Sequence, residues 1–192
     1  VSINLSSNRL VGDAVNIASS SAGDDSLSIG NNLKTTVGDV STISIDGGAS
    51  ESNILFNLKF LDNVLLGDAD RLKNSSAGND AISVGNNIQN TIGKFYILTG
   101  DGNSFINPTS PIISSNVSAD FALSGNDLIG DAATIERSTA GKDTLGIGNN
   151  FKNSLDSINS ESFNALSLNA SETISYEVSN NRLFGDAKNM TH

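Results

Sequence analysis

The chain has 192 residues and a net charge of −10 at pH 7. An acidic surface cannot neutralise phosphates, which excludes nucleic acid as a partner. The absence of cysteine excludes disulfides, zinc–thiolate sites and a cysteine nucleophile. The single histidine, His192 at the very end, leaves no Ser-His-Asp triad and no multi-histidine metal site. No run approaches the ~20 apolar residues of a membrane span, and no signal peptide is visible. Hydrophobic residues make up 37% of the chain, so its core is thin.

In chain order, Val1–Leu5 alternates apolar and polar residues, as a strand does. A first block over 8–38 follows. It opens with Asn8-Arg9-Leu10-Val11-Gly12-Asp13-Ala14. Ten residues after Asp13 ends it reaches Gly23, within Ala22-Gly23-Asp24-Asp25-Ser26-Leu27, and then comes Gly30-Asn31-Asn32. A connector over 39–62 carries an alternating strand at 40–45, a turn at Asp46-Gly47-Gly48 and a second strand at 54–61. The block returns over 63–93, with Gly67-Asp68-Ala69, Gly78-Asn79-Asp80-Ala81-Ile82 and Gly85-Asn86-Asn87. The next connector, 94–125, is longer. It has a strand at 95–98, a turn at Asp101-Gly102-Asn103 and a loop bearing Pro108 and Pro111. The third block, 126–156, holds Gly130-Asp131-Ala132, Gly141-Lys142-Asp143-Thr144-Leu145 and Gly148-Asn149-Asn150. A third connector, 157–180, leads to a partial fourth block, 181–192, with Gly185-Asp186-Ala187.

The three full blocks align without a gap, and the connectors absorb the length variation. That is how insertions into a stacked array behave. The expected fold is all-β and of repeat type: a parallel β-roll or β-solenoid with inserted antiparallel hairpins. The alternative is a closed antiparallel three-unit structure. Residues 1–192 read as a single repeat domain, or a fragment of a longer array. Leu10, Leu27, Ile29, Leu65, Ile82, Val84, Leu128, Leu145 and Ile147 are expected inside, as are Phe56, Phe60, Phe95, Phe121 and Phe163 on their strands. The paired asparagines suit ladders or left-handed turns. A single helical turn over 68–76 is the one helix signal.

The recurring polar residues are Asp, Asn and Gly. In turns they supply hard oxygen donors and free carbonyls. The alternative role of the Gly-Asp-Ala aspartates is to cap turns by bonding to the backbone. The core Gly-x-Asp-x-(Leu/Ile), as in Gly78-Asn79-Asp80-Ala81-Ile82, resembles the hemolysin-type calcium-binding repeats of the RTX (repeats-in-toxin) family. The resemblance covers roughly half of the chain. The family's leading Gly-Gly is replaced here by Ser20-Ser21, Ser75-Ser76 or Ser138-Thr139.

The resemblance implies a parallel β-roll with Ca²⁺ held in its turns. Asp25, Asp80 and Asp143 stand where the family puts its ligand. Asp13, Asp68, Asp131 and Asp186 join them if the two turns meet in space. The implied function is a non-catalytic, calcium-stabilised repeat module of a secreted or cell-surface bacterial protein: a scaffold, adhesin or secretion tail, with calcium and cell-surface or other proteins as partners. One alternative is a polysaccharide-acting β-solenoid enzyme or its accessory tail. The lack of Trp and the presence of only Tyr96 and Tyr176 argue against sugar stacking. Another is a metal-free surface-layer, filament or ice-binding array, for which no regular Thr ladder is visible.

Overall fold

The structure is a computed structural model that describes residues 2–45, 50–100, 112–162 and 167–191. The first coil contains β1 (Ser2–Ser6), β2 (Arg9–Val11), β3 (Ala14–Ala18), β4 (Ser26–Ile29), β5 (Lys34–Val37) and β6 (Val40–Ile45). The second contains β7 (Ser50–Leu61), β8 (Val64–Leu66), β9 (Ala69–Lys73), β10 (Ala81–Val84) and β11 (Ile88–Gly100). The third contains β12 (Ile112–Ser124), β13 (Asp127–Ile129), β14 (Ala132–Glu136), β15 (Thr144–Ile147) and β16 (Phe151–Ser162). A partial fourth contains β17 (Ser167–Ser179), β18 (Arg182–Phe184) and β19 (Ala187–Thr191).

Each strand pairs in parallel with its counterpart one coil on, so the chain is a parallel β-solenoid. The register follows the sequence repeat. Leu10 lies on Leu65, Leu65 on Leu128 and Leu128 on Leu183. Leu27 lies on Ile82 and Ile82 on Leu145. A one-residue slip would turn each of these side chains outward, so apolar identity fixes the register.

The connectors differ from the expectation. Every registered pair among the described residues is parallel, and the expected antiparallel hairpins are not among them. β6 pairs with β11, and β7 pairs with β1 and β12. β6 extends the ladder that β5 and β11 form, while β7, β12 and β17 stack on one another and on β1 as a sheet of their own. The turns at 46–48 and 101–103 and the prolines Pro108 and Pro111 fall outside the described residues. The helical turn expected over 68–76 is instead β9, hydrogen-bonded on both sides by β3 and β14. Two flanking ladders outweigh one weak cap.

The corners explain the block punctuation. Gly30, Gly85 and Gly148 have φ near +65°, and Asn32, Asn87 and Asn150 have φ between +55° and +60°. Glycine enters that left-handed region without steric cost, and Asn tolerates it better than most residues. Hence Gly-Asn-Asn turns the chain at the same place in each coil.

The core lies between the sheets. Phe56, Leu58, Phe60, Leu65, Ile82, Val84, Ile88, Phe121, Leu123 and Leu128 are buried in one cluster. Leu72 and Ile135 anchor a smaller one with Ala69 and Ala132. The expected core residues of the second coil are fully buried, while Leu10, Leu27, Leu145 and Ile147 are half-buried because fewer coils cover them. Phe163 lies outside the described residues, as does the side chain of Phe95.

Candidate cation site

The Gly-Asp-Ala corner between β8 and β9 and the Gly-x-Asp turn before β10 meet at one edge of the solenoid. Asp68 takes a hydrogen bond from the Gly78 N–H at 3.1 Å. Asp13 takes the equivalent bond from Gly23 at 2.6 Å, and Asp131 from Gly141 at 3.1 Å. Asp13, Asp68 and Asp131 therefore do cap a turn, but one that starts ten residues later, not the strand that follows them. This tie brings the two aspartate sets together.

Three clusters result: Asp13, Asp25 and Asp68; Asp68, Asp80 and Asp131; and Asp131, Asp143 and Asp186. In each, one carboxylate oxygen per residue lies within 4.8 Å of the others. All seven aspartates singled out in the sequence are thus in the row. Asp68 and Asp131 each belong to two clusters. In the central cluster Asp68 and Asp131 are 0% exposed and Asp80 is 2% exposed.

In the second aspartate set, Asp80 and Asp143 each accept a backbone bond on Oδ1. Asp80 Oδ1 accepts the Asp25 N–H at 2.8 Å, and Asp143 Oδ1 accepts the Asp80 N–H at 2.9 Å. The other oxygens, Oδ2 of Asp25, Asp80 and Asp143, are buried with no hydrogen-bond donor. Each is aimed at a glycine corner. A methyl group on Gly67 would lie 1.7 Å from Asp80 Oδ2 and 1.8 Å from the Gly130 carbonyl oxygen. Gly12 and Gly130 are placed in the same way, against Asp25 and Gly67 O, and against Asp143 and Gly185 O. Only glycine leaves room for these oxygens.

The backbone supplies further donors to the row. Asp68 N and Ala69 N converge on the Asp131 carbonyl at 2.8 and 3.3 Å, and Asp13 N and Ala14 N converge on the Asp68 carbonyl. This forked bonding passes over the glycine carbonyls of Gly67 and Gly130. Carboxylate and carbonyl oxygens therefore face one another across the same gap, and among the described residues no backbone N–H or basic side chain reaches Oδ2 of Asp25, Asp80 or Asp143. A buried acceptor so placed costs free energy on the order of 1–3 kcal/mol, more if charged.

Electrostatics sharpen the point. Burial, with the neighbouring carboxylates Asp80, Asp13 and Asp25 assisting, raises the pKa of Asp68 to about 7. Burial raises Asp131 to about 8 and Asp80 to about 6, against the opposing pull of their backbone N–H donors. Asp25 and Asp143 are raised for the same first reason. Among the described residues the ion pairs lie elsewhere. Arg9 pairs with Asp70, Arg71 and Lys73 with Glu136, and Arg182 and Lys188 with Asp127. Among the described residues no basic side chain pairs with the row.

Two features escaped the sequence reading. Asn8, Asn63, Asn126 and Asn181 form a ladder in which each side-chain oxygen accepts from the Asn of the coil before. Its repeat was visible at the head of every block, but not its role. The buried Asp127, held by Arg182 at 2.6 Å and Lys188 at 2.6 Å, occurs in one coil only and carries no repeat signal. The ladder expected for the Gly-Asn-Asn corners is present: Asn149 N donates to Asn86 Oδ1, and Asn86 N to Asn31 Oδ1.

Comparison with known proteins gave no match: no family model fits the chain, and no curated protein or solved structure matches it.

Proposed function

We propose that the chain is a non-catalytic, calcium-stabilised β-solenoid module of a secreted or cell-surface protein, with its ions held along the aspartate row. The observation that carries this reading is Asp80 Oδ2, a buried carboxylate oxygen without a donor, beside Asp68, Asp131 and the Gly130 carbonyl. All the donors are hard oxygens, and the set contains neither nitrogen nor sulfur. That chemistry suits calcium, whose Ca–O distance of ~2.4 Å lets oxygens nearly 5 Å apart share one ion. Asp68, Asp80 and Asp131 would hold the central ion, with a glycine carbonyl beside them.

The row offers little to an enzyme. Its aspartates repeat in similar settings, whereas acid–base catalysis needs two carboxyls with different environments. The role is mechanical: calcium outside the cell replaces repulsion between stacked carboxylates with bridging, and so locks the coils together.

The test is a pair of thermal melts, one in millimolar calcium and one in EDTA. An ion at 100 times its dissociation constant stabilises the folded chain by roughly 2.7 kcal/mol, equivalent to about 5–10 °C at this size. Superimposable melts would remove the proposal. A shift of the same size with magnesium would remove the choice of calcium.

A further inference from the structure

The three aspartate clusters are joined to one another, and each repeats the same set of donors. Each holds one of the three carboxylate oxygens that no backbone N–H or basic side chain reaches: Asp25 Oδ2 in the first, Asp80 Oδ2 in the second and Asp143 Oδ2 in the third. Beside these oxygens lie glycine carbonyls of the following coil, Gly67 O, Gly130 O and Gly185 O in turn. A set therefore consists of two aspartates from one coil, with an aspartate and a glycine carbonyl from the next.

On the calcium reading of the row, we propose that it holds three ions, one at each junction between consecutive coils, with Asp68 and Asp131 each bridging two of them. Fewer ions leave buried charge unmatched. A single central ion serves Asp80 Oδ2 but leaves Asp25 Oδ2 and Asp143 Oδ2 without a counter-charge. Two outer ions leave Asp80 Oδ2 in that state, in the cluster where no aspartate is more than 2% exposed. Three divalent ions balance six of the seven carboxylates in the row.

The bridging follows from where each carboxylate sits. Parallel strands stack ~4.8 Å apart, so ions at successive junctions stand about that far from one another. A carboxylate between two junctions has an oxygen for each side. Asp68 and Asp131 occupy such places and belong to two clusters apiece. Asp80 and Asp143 instead accept the N–H groups of Asp25 and Asp80 on Oδ1, which leaves one oxygen and one ion each. The two aspartate sets thus differ in how many ions they hold. Within the stack a Gly-Asp-Ala aspartate serves two, and a Gly-x-Asp aspartate serves one.

Native mass spectrometry of the full 192-residue chain, at the calcium level that just saturates the parent, counts the ions directly. The parent should carry three. Asp80→Asn should carry two, because one cluster contains Asp80. Asp68→Asn should carry one, because two clusters share Asp68. Asn keeps an oxygen for the Gly78 N–H, so the turn that Asp68 caps is retained. Asp120→Asn, outside every cluster, should keep all three ions. Circular dichroism in EDTA checks that each variant folds, and Asp131→Asn, which should also carry one ion, repeats the test if Asp68→Asn does not. A parent with one or two ions, or equal losses from Asp68→Asn and Asp80→Asn, overturns the bridged row and leaves calcium binding itself intact. A parent that binds no calcium removes the calcium reading along with it.

Discussion

The glycines of Gly-Asp-Ala and the aspartates of Gly-x-Asp act as one device. Gly67 lets Asp80 Oδ2 and the Gly130 carbonyl approach the same point, and Asp80 gives that point its charge. Replacing Gly67 by Ala forces atoms apart in a packed corner, and the expected cost is about 1–3 kcal/mol in a denaturant melt. Gly38 is the control. A methyl there meets nothing within 4 Å, and its φ is not in the left-handed region, so Gly38→Ala should be neutral or slightly stabilising. Asp80→Asn should behave differently from both. In EDTA it removes a buried charge from a crowded acid row, so the melting temperature should rise. In calcium it removes a ligand, so the calcium-induced increment should shrink. Calorimetric scans of the variant in both buffers check the two signs together.

Strands in the middle of the stack are covered on both sides, and those at its ends on one. Ile82, fully buried between Leu27 and Leu145, should lose about 2–5 kcal/mol on truncation to Ala. Leu145→Ala should lose less, because half-buried Leu145 leaves a site open to water rather than a closed cavity. The asparagine ladder stitches the same elements by polar means. Asn126 is 0% exposed, accepts from Asn63 and donates to the Phe60 carbonyl. Asn126→Ala leaves these partners buried and unpaired, and chemical denaturation should show a loss of about 2 kcal/mol or more.

The gapless alignment of 8–38, 63–93 and 126–156 made the architecture legible at element scale. A fixed repeat with alternating apolar pairs has few ways to bury its face other than by stacking. The strand direction of the connectors was not legible, because alternation followed by a Gly-rich turn and more alternation suits a hairpin as well as successive coils. Only the ladder to the neighbouring coil decides between them. At the row, the seven aspartates stood out by repetition. Their meeting in space did not, because the bond from Gly78 to Asp68 crosses ten residues of chain that no local rule connects.

The described residues carry an acidic row with no basic partner, so stability depends on pH. A carboxyl whose pKa is higher in the folded chain binds its proton more tightly there. For Asp80, Asp68 and Asp131 that stabilisation is complete below the ordinary value of 3.8. It is lost as pH rises through about 6, 7 and 8 respectively. Asp127 has the opposite sign. Burial opposes ionisation, but Arg182 and Lys188 outweigh it and lower the pKa, so its contribution is lost in acid. Metal-free protein should therefore be most stable in mildly acidic solution and lose stability towards pH 8. Calcium should reverse that trend by taking the protons' place. Melting temperatures across the range, with EDTA and with calcium, show whether the two curves diverge as pH rises.

The most direct measurement is a long-wavelength anomalous difference map from crystals grown in excess calcium. A peak is expected among Asp68, Asp80 and Asp131, within ~2.6 Å of Asp80 Oδ2. A map without density at that point, from crystals that bind calcium elsewhere or not at all, would contradict the calcium-bridged solenoid.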